Sequence, residues 1–400
     1  AAVPVGETVT CTACHNETML DKTSVIMPSG AELTDLGDEA KCMECHQGRE
    51  SGVSIQEMVD AAGVDADTVS EDLRFLNIHY YAAAASKYGT HANGGYQYDG
   101  QTYDGFFAHI EGYEDCQTCH NAHTLELKVE ECAACHEGVA SAEDFRDVRM
   151  AGSLVDFDGD GDMEEGIYYE LEGMRDKLYE AIQAYASEVA GTPIAYGEGY
   201  PYIFIDTNDN GMADEDEQVR DNAYASFTPR LAEAVYNYQV SLKDPGAYAH
   251  GGKYHIQLMY DSIMNLNEAL STPVDMEGTH RIDHGHFAGS EEAFRHWDED
   301  GEVSASCARC HSADGLPTYL QDGANVSTEL SNGFECTTCH SDLETYALYE
   351  VAEVEFPSGA VVDSGDGPMN LCMNCHQGRN SGPDVDAYVE GMDDDTVNPD

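Results

Sequence analysis

The chain has few positive charges: 18 lysines and arginines stand against 77 aspartates and glutamates in 400 residues, a formal net charge of −59. So large an excess of negative charge excludes electrostatic binding to nucleic acid or to an anionic membrane. The sequence also lacks any apolar run of about 18 residues, so it predicts no membrane span. The strong negative charge favours a protein that takes up cations.

Cysteine is absent outside a single motif. All 14 cysteines fall in seven copies of Cys-x-x-Cys-His, the attachment motif of c-type haem. In each copy the thiols form thioether bonds to the haem vinyl groups, and the histidine binds the iron. The predicted thioether residues are Cys11, Cys14, Cys42, Cys45, Cys116, Cys119, Cys132, Cys135, Cys307, Cys310, Cys336, Cys339, Cys372 and Cys375. The predicted proximal ligands are His15, His46, His120, His136, His311, His340 and His376.

Zinc and disulfide bonds are the alternative uses of paired cysteines. Zinc sites also use Cys-x-x-Cys pairs, but they do not require a histidine after the second cysteine in every copy. A disulfide within Cys-x-x-Cys is strained and easily reduced, so seven of them would be a poor scaffold. The sequence therefore predicts seven haem c groups, with porphyrin supplying much of the apolar core.

A six-coordinate iron needs a second axial ligand, and ten histidines lie outside the motifs. The six predicted distal ligands are His79, His109, His123, His250, His286 and His296. Because His123 follows His120 by only three residues, we assign it to a neighbouring haem. The seventh ligand stays open between His91, His255, His280, His284, a histidine of another copy and a methionine. Histidine on both sides of the iron favours a lower potential than a His/Met pair.

The motifs form two clusters separated by a long stretch without cysteine. We predict an N-terminal tetrahaem segment (1–140), a central helical segment with calcium loops and distal histidines (141–300), and a C-terminal trihaem segment (301–400). Apolar spacing and capping residues predict central helices over about 166–190, 229–243 and 253–270. The expected fold is mostly coil with short α-helices around a covalent haem chain, a small central bundle and little β-structure.

An internal duplication links the two ends of the chain. Residues 27–52 read MPSGAELTDLGDEAKCMECHQGRESG, and residues 356–382 read FPSGAVVDSGDGPMNLCMNCHQGRNSG. A further attachment motif precedes each copy, which indicates a repeated two-haem unit. The first copy is followed by His79, whereas the second reaches residue 400 without an equivalent histidine. This difference predicts self-association, in which another copy supplies the ligand.

Two acidic loops predict calcium sites. Segment 206–217 has oxygen ligands and a glycine at the positions of a twelve-residue calcium loop. Its predicted ligands are Asp206, Asn208, Asn210, Met212, Asp214 and Glu217. Segment 156–165 matches only the first half of such a loop, with Asp156, Asp158, Asp160 and Glu164 as ligands and Glu165 as an alternative closing residue. A solvated acidic turn is the alternative reading of both loops.

Four stretches resemble recurring blocks of multihaem c-type cytochromes from metal-respiring microbes. They are residues 77–138, 156–170, 244–254 and 285–311. The resemblance implies export, low-potential bis-histidine haems, and electron transfer at or beyond the cell surface. Some members of that group polymerise into filaments in which one subunit ligates a haem of the next. The six predicted distal histidines match positions where the family pattern holds histidine.

The predicted function is a heptahaem electron conduit that self-associates and is not an enzyme. The start of the sequence, Ala-Ala-Val-Pro, is typical of a mature end after removal of an export signal. We expect an extracellular or cell-surface location, with the periplasm left open, and redox partners or extracellular acceptors. A monomeric exported shuttle and a multihaem reductase are the alternatives. Such reductases often carry Cys-x-x-Cys-Lys, a motif that this sequence lacks.

Overall fold

A computed structural model describes residues 9–109, 113–133, 135–136, 138–149, 153, 155–283, 292–342 and 345–390. The chain divides into two compact units, Ala1–Arg295 and His296–Asp400. The division into three segments stays a prediction. The predicted distal ligand His286 and the candidate His284 lie outside the described residues.

Short helices and very short strands make up the regular structure of the described residues. The helices of the first unit are α1 (Cys11–Cys14), α2 (Glu17–Leu20), α3 (Ala40–His46), α4 (Gly52–Ala62), α5 (Ala83–Ala92), α6 (Cys116–Cys119), α7 (Val129–Cys132), α8 (Ile167–Glu188), α9 (Pro229–Lys243), α10 (Ala247–His250), α11 (Gly252–Asn267) and α12 (Glu292–Arg295). Those of the second unit are α13 (Ala305–His311), α14 (Gly315–Asp322), α15 (Cys336–Cys339), α16 (Gly367–Met373) and α17 (Gly382–Val389).

The β-structure of the described residues consists of four antiparallel two-stranded ribbons. The strands pair in chain order as β1 (Val25–Ile26) with β2 (Glu32–Leu33), β3 (Ile194–Tyr196) with β4 (Ile203–Ile205), β5 (His340–Asp342) with β6 (Ala347–Leu348), and β7 (Val354–Glu355) with β8 (Val361–Val362). The prediction of short helices, much irregular chain and little β-structure is confirmed. Among the described residues, no helix combines the length and apolarity that crossing a membrane requires.

Helices α8, α9 and α11 pack against one another and form the largest apolar core. On α8 the buried residues recur every three or four positions and include Leu171, Met174 and Leu178. Full burial of one such side chain contributes roughly 1.5–3 kcal/mol. The Thr228 side chain caps α9 by accepting a hydrogen bond from the Leu231 N–H at 3.1 Å. The predicted central helices are therefore confirmed, with ends that differ by up to three residues.

The duplication is visible in the structure. In the first copy a β1–β2 ribbon precedes α3, which carries an attachment motif, and α4 follows. In the second copy a β7–β8 ribbon precedes α16, which enters the equivalent motif, and α17 follows. The ribbon turns hold glycines at the left-handed φ of 87° (Gly30) and 79° (Gly359). Ser51 and Ser381 each begin the following helix with a capping box. The two segments therefore share the same order of elements, and the repeated two-haem unit stays a prediction.

Candidate haem sites

Helical geometry explains why both cysteines and the histidine of a motif reach the same group. Residues at positions i, i+3 and i+4 of a helix share one face. Helices α1, α6 and α15 each span exactly one Cys-x-x-Cys, and the histidine follows directly. Asp115 begins α6 by accepting hydrogen bonds from the N–H groups of Gln117 and Thr118, both at 2.8 Å. The motif on α6 is thus a single capped turn.

The exposure of the thiols fits covalent attachment of a large group. All 14 cysteines are free, and each is either exposed or half-buried. Free cysteines are ordinarily among the most buried residues in proteins. Fourteen thiols that form no disulfide and are not fully buried remain accessible for attachment to another molecule.

Three pairs of imidazole rings lie at the separation that a bis-histidine iron needs. Each pair joins a motif histidine to one outside the motifs: His15 with His123 at 6.3 Å between ring centroids, His136 with His109 at 5.8 Å, and His120 with His250 at 6.3 Å. A metal–imidazole nitrogen bond is about 2.0–2.1 Å long, so rings on opposite sides of one metal ion are about 6 Å apart. These residues therefore fit haem iron, and His123 lies opposite a motif other than its own.

Backbone carbonyls fix the tautomer of three motif histidines. In each case the Nδ1 atom lies at hydrogen-bond distance from a carbonyl oxygen: His46 with Tyr81 (2.8 Å), His120 with Leu125 (3.3 Å) and His340 with Tyr346 (2.8 Å). A partner at Nδ1 leaves Nε2 to bind metal. All three carbonyl residues have left-handed backbones, with φ of 55°, 63° and 53°. Bulky residues seldom adopt this conformation, and such strain is typical of functional sites.

At His250 the partner of Nδ1 is a buried carboxylate rather than a backbone carbonyl. Asp244 lies directly after α9 and accepts from the His250 Nδ1 with its two oxygens at 3.0 and 2.9 Å. Burial alone would raise the pKa of Asp244, but His250 and the Ser86 hydroxyl lower it to about 2. Gly246 makes room for the ring, because a Cβ there would lie 2.6 Å from the His250 Cε1 atom.

The remaining spare histidines differ in their surroundings. His255 lies in the core with 1% exposure, and its Nε2 contacts the Ser86 Oγ at 2.8 Å. Burial lowers the pKa of His255 to about 4, so this residue is a neutral core histidine. His280 contacts the Asp156 carbonyl through Nδ1 at 2.7 Å. His79 is exposed and has φ of 81°, and its ring centroid lies 5.3 Å from that of Tyr80.

An aromatic side chain connects two histidines in the second unit. The ring of Trp297 lies 4.9 Å from the ring of His296 and 5.3 Å from that of His311. The predicted distal ligand His296 therefore lies close to a motif histidine of its own unit. Trp297 is 9% exposed and belongs to a small apolar cluster with Val303.

Thiols of different motifs contact each other within each unit. In the first unit the Cys116 thiol hydrogen-bonds to Cys42 and lowers the pKa of Cys42 to about 7. In the second unit Cys375 does the same to Cys310 and lowers its pKa to about 6. The attachment points of these motifs are therefore neighbours in space.

The loop at 156–165 gathers five carboxylates. Ligand oxygens of Asp156, Asp158 and Glu170 lie within 4.8 Å of one another, and so do those of Asp158, Asp160 and Glu165. Burial raises the pKa of both Asp158 and Glu165 to about 7. The predicted ligand Glu164 is exposed and belongs to neither group. Sequence reasoning missed Glu170, which lies beyond the loop on α8.

Glu170 connects this loop to α8 through hydrogen bonds. It accepts from the N–H groups of Phe157 and Asp158 at 2.8 and 3.0 Å and from the guanidinium of Arg149. Its side chain is completely buried. Arg149 is the cation that pairs with this carboxylate, so much of the negative charge of the cluster stays uncompensated.

The loop at 206–217 is folded by its own predicted ligands. The Asp206 carboxylate accepts from the N–H groups of Asp209, Asn210 and Gly211 at 2.7–3.3 Å. Gly211 occupies position 6 with φ of 80°. The side chains of Asn208 and Asn210 both donate to Asp214 at 2.8 Å, and Glu217 accepts from Thr207 at 2.6 Å. The exposed Met212 offers its carbonyl at position 7.

The chain is similar to two curated proteins of Geobacter sulfurreducens. C-type polyheme cytochrome OmcB is 28% identical over 270 residues, which cover 61% of this chain and 34% of OmcB. C-type polyheme cytochrome OmcC is 28% identical over 270 residues, which cover 61% of this chain and 33% of OmcC. The chain thus spans about a third of the length of these relatives. No family model matches the chain, and no solved structure matches it.

The similarity confirms the predicted resemblance to multihaem c-type cytochromes of metal-respiring microbes. Both relatives are named as c-type polyheme cytochromes, which supports a multihaem cytochrome.

Proposed function

We propose that this chain attaches seven haem c groups and carries electrons among them as an exported c-type cytochrome. The observation that carries the proposal is the set of three imidazole pairs at 5.8–6.3 Å, each combining a motif histidine with a distant one. The free and accessible thiols support the same conclusion. A bound haem c supplies an iron centre that accepts and releases one electron.

The protein's part is to hold the iron centres close together. Contacts between Cys42 and Cys116 bring two attachment points of the first unit together, and the Cys310–Cys375 contact does so in the second. Close spacing is what electron transfer between centres requires. The carbonyls and the carboxylate at the Nδ1 atoms hold the ligand rings in fixed orientations.

Histidine pairs favour a carrier over a reductase. Catalysis at haem iron needs an open axial position, and a pair such as His120–His250 would occupy both positions of the iron that it holds. Electron paramagnetic resonance of the oxidised protein tests this point. The proposal predicts low-spin signals from all seven haems, whereas a high-spin ferric signal in the wild type would favour the reductase.

Self-association is part of the proposal. Residues 296–400 hold three attachment motifs but one histidine outside them, His296. A histidine of a second copy would complete an iron there, and filament formation and a location outside the cell go with the family resemblance. Light scattering and electron microscopy test the idea: assemblies are expected, and monomers with all irons ligated within one chain would exclude it.

The two acidic loops are proposed to bind calcium. Asp156, Asp158 and Glu170 offer converging oxygens at the first loop, and Asp206 to Glu217 form a twelve-residue loop at the second. Hard cations prefer such oxygen ligands. Bound calcium would offset part of the repulsion within a chain of charge −59. Calorimetric titration with calcium is expected to show two sites.

A further inference from the structure

The hydrogen bond between Asp244 and His250 differs in kind from the Nδ1 contacts of His46, His120 and His340. The Asp244 carboxylate is 4% exposed and contacts the His250 Nδ1 with both oxygens, at 3.0 and 2.9 Å. His46, His120 and His340 contact neutral backbone carbonyls instead. The His250 ring therefore faces a full negative charge inside the protein.

We infer that Asp244 is a positioning residue that lowers the reduction potential of the haem attached at Cys116 and Cys119. The inference rests on the proposed function, because it takes His120 and His250 as the two ligands of that iron. Their rings lie 6.3 Å apart between centroids. Asp244 acts through His250 and has no place on the iron itself.

The physical reason is the charge that the carboxylate places on the ligand. An acceptor at Nδ1 fixes the ring orientation and raises the basicity of the coordinating nitrogen. A more basic ligand stabilises the more positive, oxidised iron, which lowers the potential. A buried carboxylate does this more strongly than an exposed one, because the interior screens charge less than water.

Neighbouring groups hold Asp244 in place. The Gly246 N–H donates to it at 3.1 Å, and the Ser86 hydroxyl also hydrogen-bonds to it. Ser86 in turn contacts the Nε2 of the buried His255 at 2.8 Å. The carboxylate therefore has a fixed position rather than a choice of rotamers.

Nearby charges do not cancel the effect. Lys87 is a cation that acts on His250. Lys87 forms a 2.6 Å ion pair with Glu39, and both side chains are nearly buried. Since these two charges compensate each other, the net charge beside His250 is that of Asp244.

The test is a potentiometric titration of the haem-loaded protein, followed by absorbance. Asp244→Asn keeps the shape of the side chain and removes its charge, and Asp244→Ser is a second neutral variant. Asp244→Glu keeps the charge. Asp261→Asn is the matched control, because Asp261 is also buried and accepts from Arg281 at 2.8 and 2.9 Å.

Loss of such an outer partner typically changes a metal-site property about 10- to 100-fold. A tenfold change in a one-electron equilibrium is about 59 mV. We therefore expect one-seventh of the absorbance change to move to higher potential by at least that amount in both neutral variants. Asp244→Glu should restore most of the shift, and Asp261→Asn should leave the curve unchanged.

The inference is overturned if either neutral variant carries seven low-spin haems and titrates like the wild type, or if Asp261→Asn gives the same shift. Haem content is measured on every variant by the pyridine haemochrome spectrum. Seven haems with unmoved potentials would refute the role of Asp244 and leave the cytochrome assignment intact. A wild-type protein without attached haem would instead refute the assignment itself.

Discussion

The imidazole rings of His15 and His123 are nearly parallel, with centroids 6.3 Å apart and planes inclined by 13°. One belongs to the first attachment motif, and the other follows the third motif by three residues. On the proposed assignment, His123 would therefore serve a different haem from the one attached beside it in the sequence. Residues 119–123 would then connect two haem sites, which would restrict how far apart those sites can lie.

His123→Ala is expected to open the iron held by His15. Because no other ring faces His15 at this distance among the described residues, one of the seven haems should become high-spin. His250→Ala should do the same at the iron held by His120. Electron paramagnetic resonance of each variant and of the double variant makes the check.

The double variant tells whether the two histidines serve different irons. Two high-spin equivalents are expected from it, since each ring faces a separate motif histidine. A double variant with the same high-spin content as either single variant would contradict the assignment of His123 to the first motif.

Gly246→Ala is expected to disturb the His250 ligand without altering its chemistry. The backbone φ of −98° suits alanine, but the new methyl group would lie 2.6 Å from the imidazole Cε1 atom. The ring must shift, and a fraction of one haem should become high-spin. Gly199→Ala is the control, because nothing lies within 4 Å of a Cβ at Gly199. Equal spectra for the two variants would show that the ring tolerates displacement.

The structure also tests which residue closes the first calcium loop. Glu170→Gln removes a buried ligand, so calorimetric titration should detect one calcium instead of two and a smaller calcium-dependent rise in Tm. Glu164→Gln changes an exposed carboxylate outside both groups and should leave two sites. Loss of a site in Glu164→Gln but not in Glu170→Gln would restore the ligand set predicted from the sequence.

The buried carboxyl of Glu233 should make the free energy of unfolding depend on pH. This carboxyl is 8% exposed, and burial raises its pKa from 4.5 to about 7, although Tyr96 and Arg230 act to lower it. The folded chain therefore binds the proton more tightly than the unfolded chain. The resulting stabilisation is present below about pH 4.5 and is lost as the pH rises through about 7.

Glu233→Gln should remove this loss. Its free energy of unfolding relative to the wild type should rise by up to about 3 kcal/mol between pH 4.5 and 8. Denaturant unfolding across this range measures the difference, with the exposed Glu57→Gln as the control. A wild-type and a Glu233→Gln curve that run parallel would show that Glu233 titrates normally.

Local patterns explain what the sequence could predict. Attachment motifs, helix caps such as Thr228 and the repeated segments depend on neighbouring residues, so they are visible in the sequence alone. The pairing of histidines joins residues as distant in sequence as His120 and His250, so it could not be predicted. The spacing in the sequence excluded only one pairing, that of His123 with its own motif. His255 is a buried core histidine, and a helical sequence pattern alone does not distinguish such a residue from an iron ligand.

Sequence reasoning missed the residues that only the packing of the chain brings to a site. Glu170 lies past the acidic loop on α8, and only packing brings it back to Asp156. Asp244 had a weak signal, since it precedes His250 by six residues in a Pro-Gly turn. The carbonyl partners Tyr81, Leu125 and Tyr346 gave no signal in the sequence, because residue type does not predict a left-handed backbone at these positions.

The count of covalently attached haems tests the account most directly. Intact mass spectrometry of the exported holoprotein is expected to show the polypeptide plus seven haem groups, with reduced c-type absorbance bands of matching intensity. Cysteines that remain alkylatable, or a mass without the seven added groups, would contradict the account.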